Sequence, residues 1–253
     1  MPDYAALASR LTAALTLVDP PIAICLADAV PAGVRRWSGP APAGCFFWQE
    51  AARGAFTTDA RDHESCAIGT FTHNLDATAA HEADRRDALK VFADLKYVTA
   101  DDLAMIPVLA ARPRAVVYAP LAATPLPPDV VLLLVRADQS LILSEATQSL
   151  ERGLPPAMGR PACAVVAHAK NTGRAALSLG CCGARAYLDV LTVDKALYAI
   201  PGSRVDEYTA RVEEMASANG VLTSFHRLRR ADVEAGKHPS VQDSLAALQT
   251  RGR

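Results

Sequence analysis

Hydrophobic positions at the start of the chain follow a helical spacing and then a strand spacing. Leu7, Leu11 and Leu15 recur every four residues, which predicts an amphipathic helix over residues 3–17 that ends at two prolines. The apolar run at 22–26 comes next and is typical of a buried strand. The first cysteine lies inside this aliphatic run, so we interpret it as a core residue.

Apolar patterns along the rest of the chain predict an alternation of helices and strands. Helices are predicted over 45–53, 79–93, 140–152 and 162–171, and strands over 114–120, 129–136, 175–179 and 196–200. Val205, Tyr208 and Val212 then mark a helix with one apolar stripe. This alternation favours an α/β or α+β fold, in which helices cover a mixed sheet. We expect one layered domain over 1–224 and a peripheral extension over 225–253.

Composition and net charge limit the kinds of molecule that the protein is expected to bind. Of the 253 residues, 51% are hydrophobic and 21% are charged, which is typical of a globular chain. The formal net charge of −1 provides no field that would attract a nucleic acid. The longest apolar run is far shorter than the roughly 20 residues that span a bilayer, and the first residues lack the features of a signal peptide. We therefore expect a cytoplasmic protein with no nucleic-acid or membrane partner, whose cysteines are thiols or metal ligands.

Three cysteines lie where a predicted element begins or ends. Cys45 and Cys163 each stand at the start of a predicted helix, where the helix dipole would favour a thiolate. Cys181 lies between Gly180 and Gly183, in a turn after an apolar strand. Flanking glycines allow a backbone to approach a bulky group closely. Chemistry is one interpretation of these positions, and for Cys45 packing as a small apolar residue beside an aromatic cluster is an equally good one.

The segment at 62–73 is the densest polar group in an otherwise apolar chain. It holds His63, Cys66 and His73, together with two carboxylates. An imidazolium or a metal ion lowers the pKa of a nearby thiol, so this cluster predicts either an activated thiol or a metal site. We expect His63, His73 and Cys66 to be the catalytic residues.

Four further residues are candidates for cofactor binding. Gly180, Gly183 and Arg185 could form an anion cradle from turn amides and a guanidinium, although a plain tight turn explains the same pattern. Trp48 could line an apolar pocket for a flat ligand. The chain lacks the glycine spacing of a dinucleotide-binding loop and the motifs of common hydrolases and metalloproteases.

Cys45, Cys66, Cys163 and Cys181 could together hold an iron–sulfur cluster or a structural zinc ion. The sequence contains no C-x₂-C pair, which is the strongest spacing signal for either site. Convergence of the four thiols must therefore come from the fold.

Six blocks of sequence between the first helix and the helix after Gly202 follow a recognisable order. The blocks are Pro21-Ile22-Ala23-Ile24; Cys45-Phe46-Phe47-Trp48 with Gly54 and Phe56-Thr57-Thr58; Asp62-His63, Cys66-Ala67-Ile68-Gly69 and Thr72-His73; Gly159-Arg160-Pro161-Ala162-Cys163; Ser178-Leu179-Gly180-Cys181, Gly183 and Arg185; and Ala199-Ile200-Pro201-Gly202. In their order and spacing they resemble the uncharacterised family known as domain of unknown function 169, or ArCR. The resemblance implies that the same four cysteines are shared within the family, and it implies no reaction. The family often has a Tyr-Asn-like pair where this chain has Glu64 and Ser65.

Three hypotheses follow for function. In the leading one, the four cysteines bind an iron–sulfur cluster that serves electron transfer, or a redox or sulfur-transfer reaction on a small molecule, with a small-molecule substrate or a redox protein as partner. In the second, the protein is a metal-free thiol enzyme with Cys66 as nucleophile. In the third, it is a non-catalytic module that binds a small molecule or haem, and the cysteines only pack.

Overall fold

One mixed sheet organises the protein in the computed structural model, which describes residues 2–251. The strand order is β2-β3-β1-β4-β7-β6-β5, and every neighbouring pair is antiparallel except β5 and β6. The prediction of an α/β fold with a mixed sheet is confirmed. The strands are β1 (Ile22–Ala27), β2 (Phe56–Thr58), β3 (Ala115–Pro120), β4 (Val130–Arg136), β5 (Ala157–Met158), β6 (Ala176–Ser178) and β7 (Lys195–Pro201).

Helices cover both faces of this sheet. They are α1 (Tyr4–Leu15), α2 (Phe46–Ala51), α3 (Ala67–Thr72), α4 (Ala79–Asp94), α5 (Ala100–Ala104), α6 (Ala137–Leu150), α7 (Ala164–Thr172), α8 (Cys182–Tyr187), α9 (Val205–Glu234) and α10 (Val241–Arg251). The expected boundary at residue 224 falls inside α9, which continues without a break. None of the helices within residues 2–251 combines the length and the apolar character that a bilayer crossing requires.

The central strand β4 is buried on both sides, which explains its uninterrupted apolar sequence. Its alternate side chains contribute to two separate hydrophobic cores. The core that contains Leu11, Leu143 and Tyr198 lies under α1, α6 and α9, and we call this side the helix face. The core that contains Phe47 and Val166 lies under α2 and α7, and we call this side the cysteine face.

Local sequence signals explain the hairpin that α4 and α5 form over the cysteine face. The hydroxyl of Thr78 accepts a hydrogen bond from the His81 backbone, and His81 Nδ1 accepts one from the Thr78 backbone. Thr99 and Asp102 cap α5 in the same reciprocal way. His81 is the one buried side chain in α4, and α5 has none. The hairpin is therefore held by its ends more than by a core of its own.

Candidate functional site

The fold brings four distant cysteines to one cavity. Cys45, Cys66, Cys163 and Cys181 each occupy the position immediately before a helix, namely α2, α3, α7 and α8. All four side chains line a cavity of about 750 Å³. Four segments that are distant in the sequence therefore each contribute a cysteine to the wall of one cavity.

The opposite wall of the cavity comes from the α4–α5 hairpin. Leu89, Phe92 and Leu103 line the cavity from this side. The hairpin is fixed at one edge by Arg160, whose guanidinium lies 4.3 Å from the centre of the Tyr97 ring and donates a hydrogen bond to the Tyr97 carbonyl. The cavity is thus enclosed between the cysteine-bearing helix starts and a cover of two helices.

Backbone amides hold two of the sulfur atoms. Cys66 Sγ accepts a hydrogen bond from the Gly69 amide at 3.3 Å, and Cys181 Sγ accepts one from the Ala184 amide at 3.4 Å. A Cβ atom at Gly69 would lie 2.7 Å from Cys66 Sγ, so this position excludes a side chain. Gly44 is similarly restricted, since a Cβ there would lie 2.9 Å from His63 Nδ1. These two glycines allow Cys45 and Cys66 to approach each other.

Burial favours the neutral form of three of these thiols. Desolvation, followed by electrostatic interaction with the nearby Cys66 and Cys181 side chains, raises the pKa of Cys45 to about 12. Burial likewise raises the pKa of Cys66, and it raises the pKa of Cys163 well above the usual thiol range. Burial thus acts against the thiolate that the helix dipoles at Cys45 and Cys163 are expected to favour, and thiolates at these two positions stay a prediction.

The iron–sulfur prediction is also wrong. Across residues 2–251, no group of three or more histidine, cysteine, aspartate or glutamate side chains is placed so that it could hold a metal ion. The thiols come from four separate helix starts along the cavity wall. The predicted electron-transfer and cluster-based redox roles depend on the cluster, so they are wrong as well. A zinc ion would also need several such side chains placed around one point. Haem requires a single axial ligand, so it stays a prediction.

A buried polar layer, consisting of His63, His73 and Tyr118, lies behind the cysteine wall. His73 Nδ1 is 3.0 Å from the Gly69 carbonyl, which can only accept, so Nδ1 carries the proton and Nε2 is a free acceptor. The Thr58 hydroxyl donates to a backbone carbonyl and accepts from His63 Nε2, which leaves His63 Nδ1 as a second free acceptor. Burial lowers the pKa of His63 to about 3 and that of His73 to about 4, so both rings are neutral at neutral pH.

Tyr118 completes this layer. Its hydroxyl is buried and has no hydrogen-bond partner among residues 2–251. Burial raises the pKa of Tyr118, and electrostatic interaction with Cys66, Cys163 and Cys45 adds to the effect. Burying such a group without a partner costs roughly 1–3 kcal/mol.

The structure separates the predicted site residues. Cys66 lines the cavity, whereas the predicted catalytic partners His63 and His73 lie behind it, and their catalytic role stays a prediction. Two residues of the predicted cofactor-binding group, Gly183 and Arg185, also differ in whether they line the cavity. Gly183 lines the cavity, but the Arg185 guanidinium donates to the carbonyls of Leu179, Thr192 and Lys195. Gly180 adopts a positive φ of 83° and packs against Arg185, and Trp48 is buried in the cysteine-face core.

Sequence reasoning missed several cavity residues. Met105 and Met158 lie at the end of a five-residue helix and in a two-residue strand, where no periodicity can be recognised. His168 lies on α7, its side chain lines the cavity, and its buried Nε2 has no partner in the part of the chain that the structure describes. The reciprocal caps at Thr78 and Thr99 are the signal that could have located the hairpin.

One known protein family matches most of the chain. The family model described as uncharacterised ArCR, domain of unknown function 169, matches residues 10–211. No curated protein and no solved structure gave a match. The match ends in the first third of α9 and includes every cavity residue discussed above.

Proposed function

The chain belongs to the uncharacterised ArCR family, and we propose that it binds a small organic molecule in the cavity between the cysteine wall and the α4–α5 hairpin. The observation that carries this proposal is the cavity itself. Its volume of about 750 Å³ lies within the range of small-molecule sites. Most of its wall is aliphatic or aromatic, and a few polar groups lie among these residues, as in typical ligand pockets.

The state of the thiols supports binding as the primary role. A nucleophilic cysteine acts as a thiolate, and burial raises the pKa of Cys45, Cys66 and Cys163. Neutral thiols behave as small apolar groups with a weak donor. They therefore contribute a soft, largely apolar surface to the pocket.

The hairpin provides a route by which a ligand could enter. Helices α4 and α5 together bury a single side chain, His81, so little core packing opposes their movement. Two contacts attach this region to the rest of the protein: Arg160 with Tyr97 at the cavity edge, and the Arg85 guanidinium of α4 over the Phe71 ring of α3 at 4.7 Å. Segments with few buried apolar contacts open at low free-energy cost. We also propose a cytoplasmic location, which six unpaired cysteines support because reducing compartments keep thiols free.

A pocket-filling substitution tests the proposal. Ala88 on α4 lines the cavity, so Ala88→Trp should occupy part of its volume. Ala93 lies on the same helix with an exposed side chain, and Ala93→Trp is the matched control. We expect the fluorescent probe anilinonaphthalene sulfonate to bind wild type and Ala93→Trp equally, and Ala88→Trp about tenfold or more weakly, since tenfold corresponds to about 1.4 kcal/mol.

Titration of probe fluorescence measures both affinities, and urea unfolding verifies that both variants are folded. Native mass spectrometry of the freshly purified protein provides a second readout, because a retained ligand adds its mass to the chain. Equal probe affinity in the two tryptophan variants, or no binding to wild type, contradicts the proposal.

A further inference from the structure

Sulfur is concentrated in the wall of the cavity. The chain has six cysteines and four methionines. Seven of these ten side chains line the cavity, although they come from segments scattered over most of the chain. They are Cys45, Cys66, Cys163, Cys181, Cys182, Met105 and Met158. A uniform distribution of sulfur through the core would not give this pattern.

The two methionines at the cavity are unusually exposed. Met105 is 73% exposed and Met158 is 64% exposed, while both still contribute to the cavity wall. Tyr97 and Tyr187 line the same cavity and are also partly exposed. Large apolar side chains that are exposed at the wall of a cavity lose water contact when a ligand enters, which contributes to binding.

Contacts with sulfur atoms increase the affinity for an aromatic ligand relative to an aliphatic one. Thioethers and neutral thiols are polarisable, and they make favourable contacts with the edges and faces of aromatic rings. Such a contact is worth roughly two- to tenfold in affinity beyond the area that it buries. The raised pKa values of Cys45, Cys66 and Cys163 matter here, because a neutral thiol does not repel the electron-rich face of a ring.

We infer that the ligand of this cavity is a flat, fused-ring aromatic molecule, held by sulfur–aromatic contacts from the cysteine wall and from Met105 and Met158, with Tyr97 and Tyr187 beside it. This inference rests on the proposed function and names the class of its ligand. Phe92 supplies a further aromatic surface from the hairpin. An aliphatic ligand of the same shape would bury the same area, but it would gain nothing from the concentration of sulfur.

The test compares two probes of closely similar shape that differ in aromaticity. Naphthol and its fully hydrogenated analogue, decahydronaphthol, each compete with bound anilinonaphthalene sulfonate on the wild-type protein. We expect naphthol to displace the fluorescent probe at a concentration about tenfold or more below that of decahydronaphthol, after correction for the difference in their water solubility.

Methionine-to-leucine substitutions remove sulfur with little change in volume. The double variant Met105→Leu/Met158→Leu should weaken naphthol about threefold or more and leave decahydronaphthol unchanged. Met215, which packs against the helix face, provides the control: Met215→Leu should alter neither probe.

The outcomes separate the two proposals. If decahydronaphthol competes as well as naphthol, or if the double leucine variant weakens both equally, the aromatic inference is overturned while the binding function stands. If anilinonaphthalene sulfonate does not bind, or binds Ala88→Trp and Ala93→Trp alike, the proposed function fails and this inference fails with it.

Discussion

The two faces of the sheet differ in whether their buried polar side chains are hydrogen-bonded. On the helix face, the buried carboxylate of Glu151 accepts hydrogen bonds from the Tyr208 hydroxyl at 2.5 Å, the Arg174 guanidinium at 2.8 Å and the Ala175 amide at 3.0 Å. The Tyr198 hydroxyl on the same face is bonded to the Thr147 hydroxyl at 2.6 Å and donates to a backbone carbonyl. This network joins α6, β7 and α9.

On the cysteine face, His63, His73 and Tyr118 are equally buried, yet each keeps one polar atom without a partner. Native structures pair most of their buried polar groups, so an unpaired cluster needs an explanation. The difference indicates that hydrogen bonds on the helix face stabilise the fold. On the cysteine face, unpaired polar groups beside the cavity lower the stability of the folded state. Buried polar groups without partners are expected mainly at functional sites.

The largest expected effect comes from breaking the paired network. Glu151→Ala should lower the free energy of unfolding by about 3–5 kcal/mol, because it leaves two buried donors, the Tyr208 hydroxyl and the Ala175 amide, without their acceptor. Urea unfolding followed by circular dichroism measures the change. Glu145→Ala, on the neighbouring helix α6, is the control and should change stability by less than about 0.5 kcal/mol. A loss below about 1 kcal/mol for Glu151→Ala would show that the network is not what stabilises this face.

The sequence predicts the layers of this fold better than its site. Apolar periodicity located α1, β1, β4 and β7 within a few residues, because burial on one or both faces imposes a regular pattern. Helix α5 was missed, since its five residues bury nothing and therefore show no apolar stripe. Residue 224, where a domain boundary is expected, lies inside the continuous helix α9, and the division into a domain and a peripheral extension stays a prediction.

The four cysteines were grouped from local context, and the structure places all four in the wall of one cavity, but the iron–sulfur chemistry assigned to them was wrong. Helix starts were visible in the sequence, whereas the burial that raises the pKa of Cys45 and Cys163 was not. The placement of these side chains along a cavity wall depends on tertiary packing, including the close approach of Gly44 and Gly69. Neither property has a local signature in the sequence.

The unpaired layer should make the protein sensitive to acid. The folded pKa of His73, about 4, lies below the ordinary value of 6.5, so its contribution to stability is complete above about pH 6.5 and is lost as the pH falls towards 4. The expected loss from His73 is about 2–3 kcal/mol over that range. His63, with a folded pKa of about 3, should add a similar loss.

His73→Gln tests this expectation, because glutamine does not titrate. Its absolute stability can change, so the readout is the slope of unfolding free energy against pH between about 7 and 4, which should be shallower than in wild type. Tyr118→Phe is a control in the same layer and should give a curve parallel to that of wild type. Parallel curves for His73→Gln and wild type would show that His73 does not take up a proton on unfolding.

The smallest expected effect compares the same substitution on both faces. Tyr198 and Tyr118 are both fully buried, but only the Tyr198 hydroxyl is hydrogen-bonded. Tyr198→Phe leaves the Thr147 hydroxyl without this partner, so urea unfolding should show a loss of about 1–3 kcal/mol. Tyr118→Phe removes an unpaired hydroxyl and should be neutral or stabilising by up to about 1 kcal/mol. If Tyr118→Phe is as destabilising as Tyr198→Phe, the Tyr118 hydroxyl has a partner in solution, and the contrast between the two faces would be wrong at that residue.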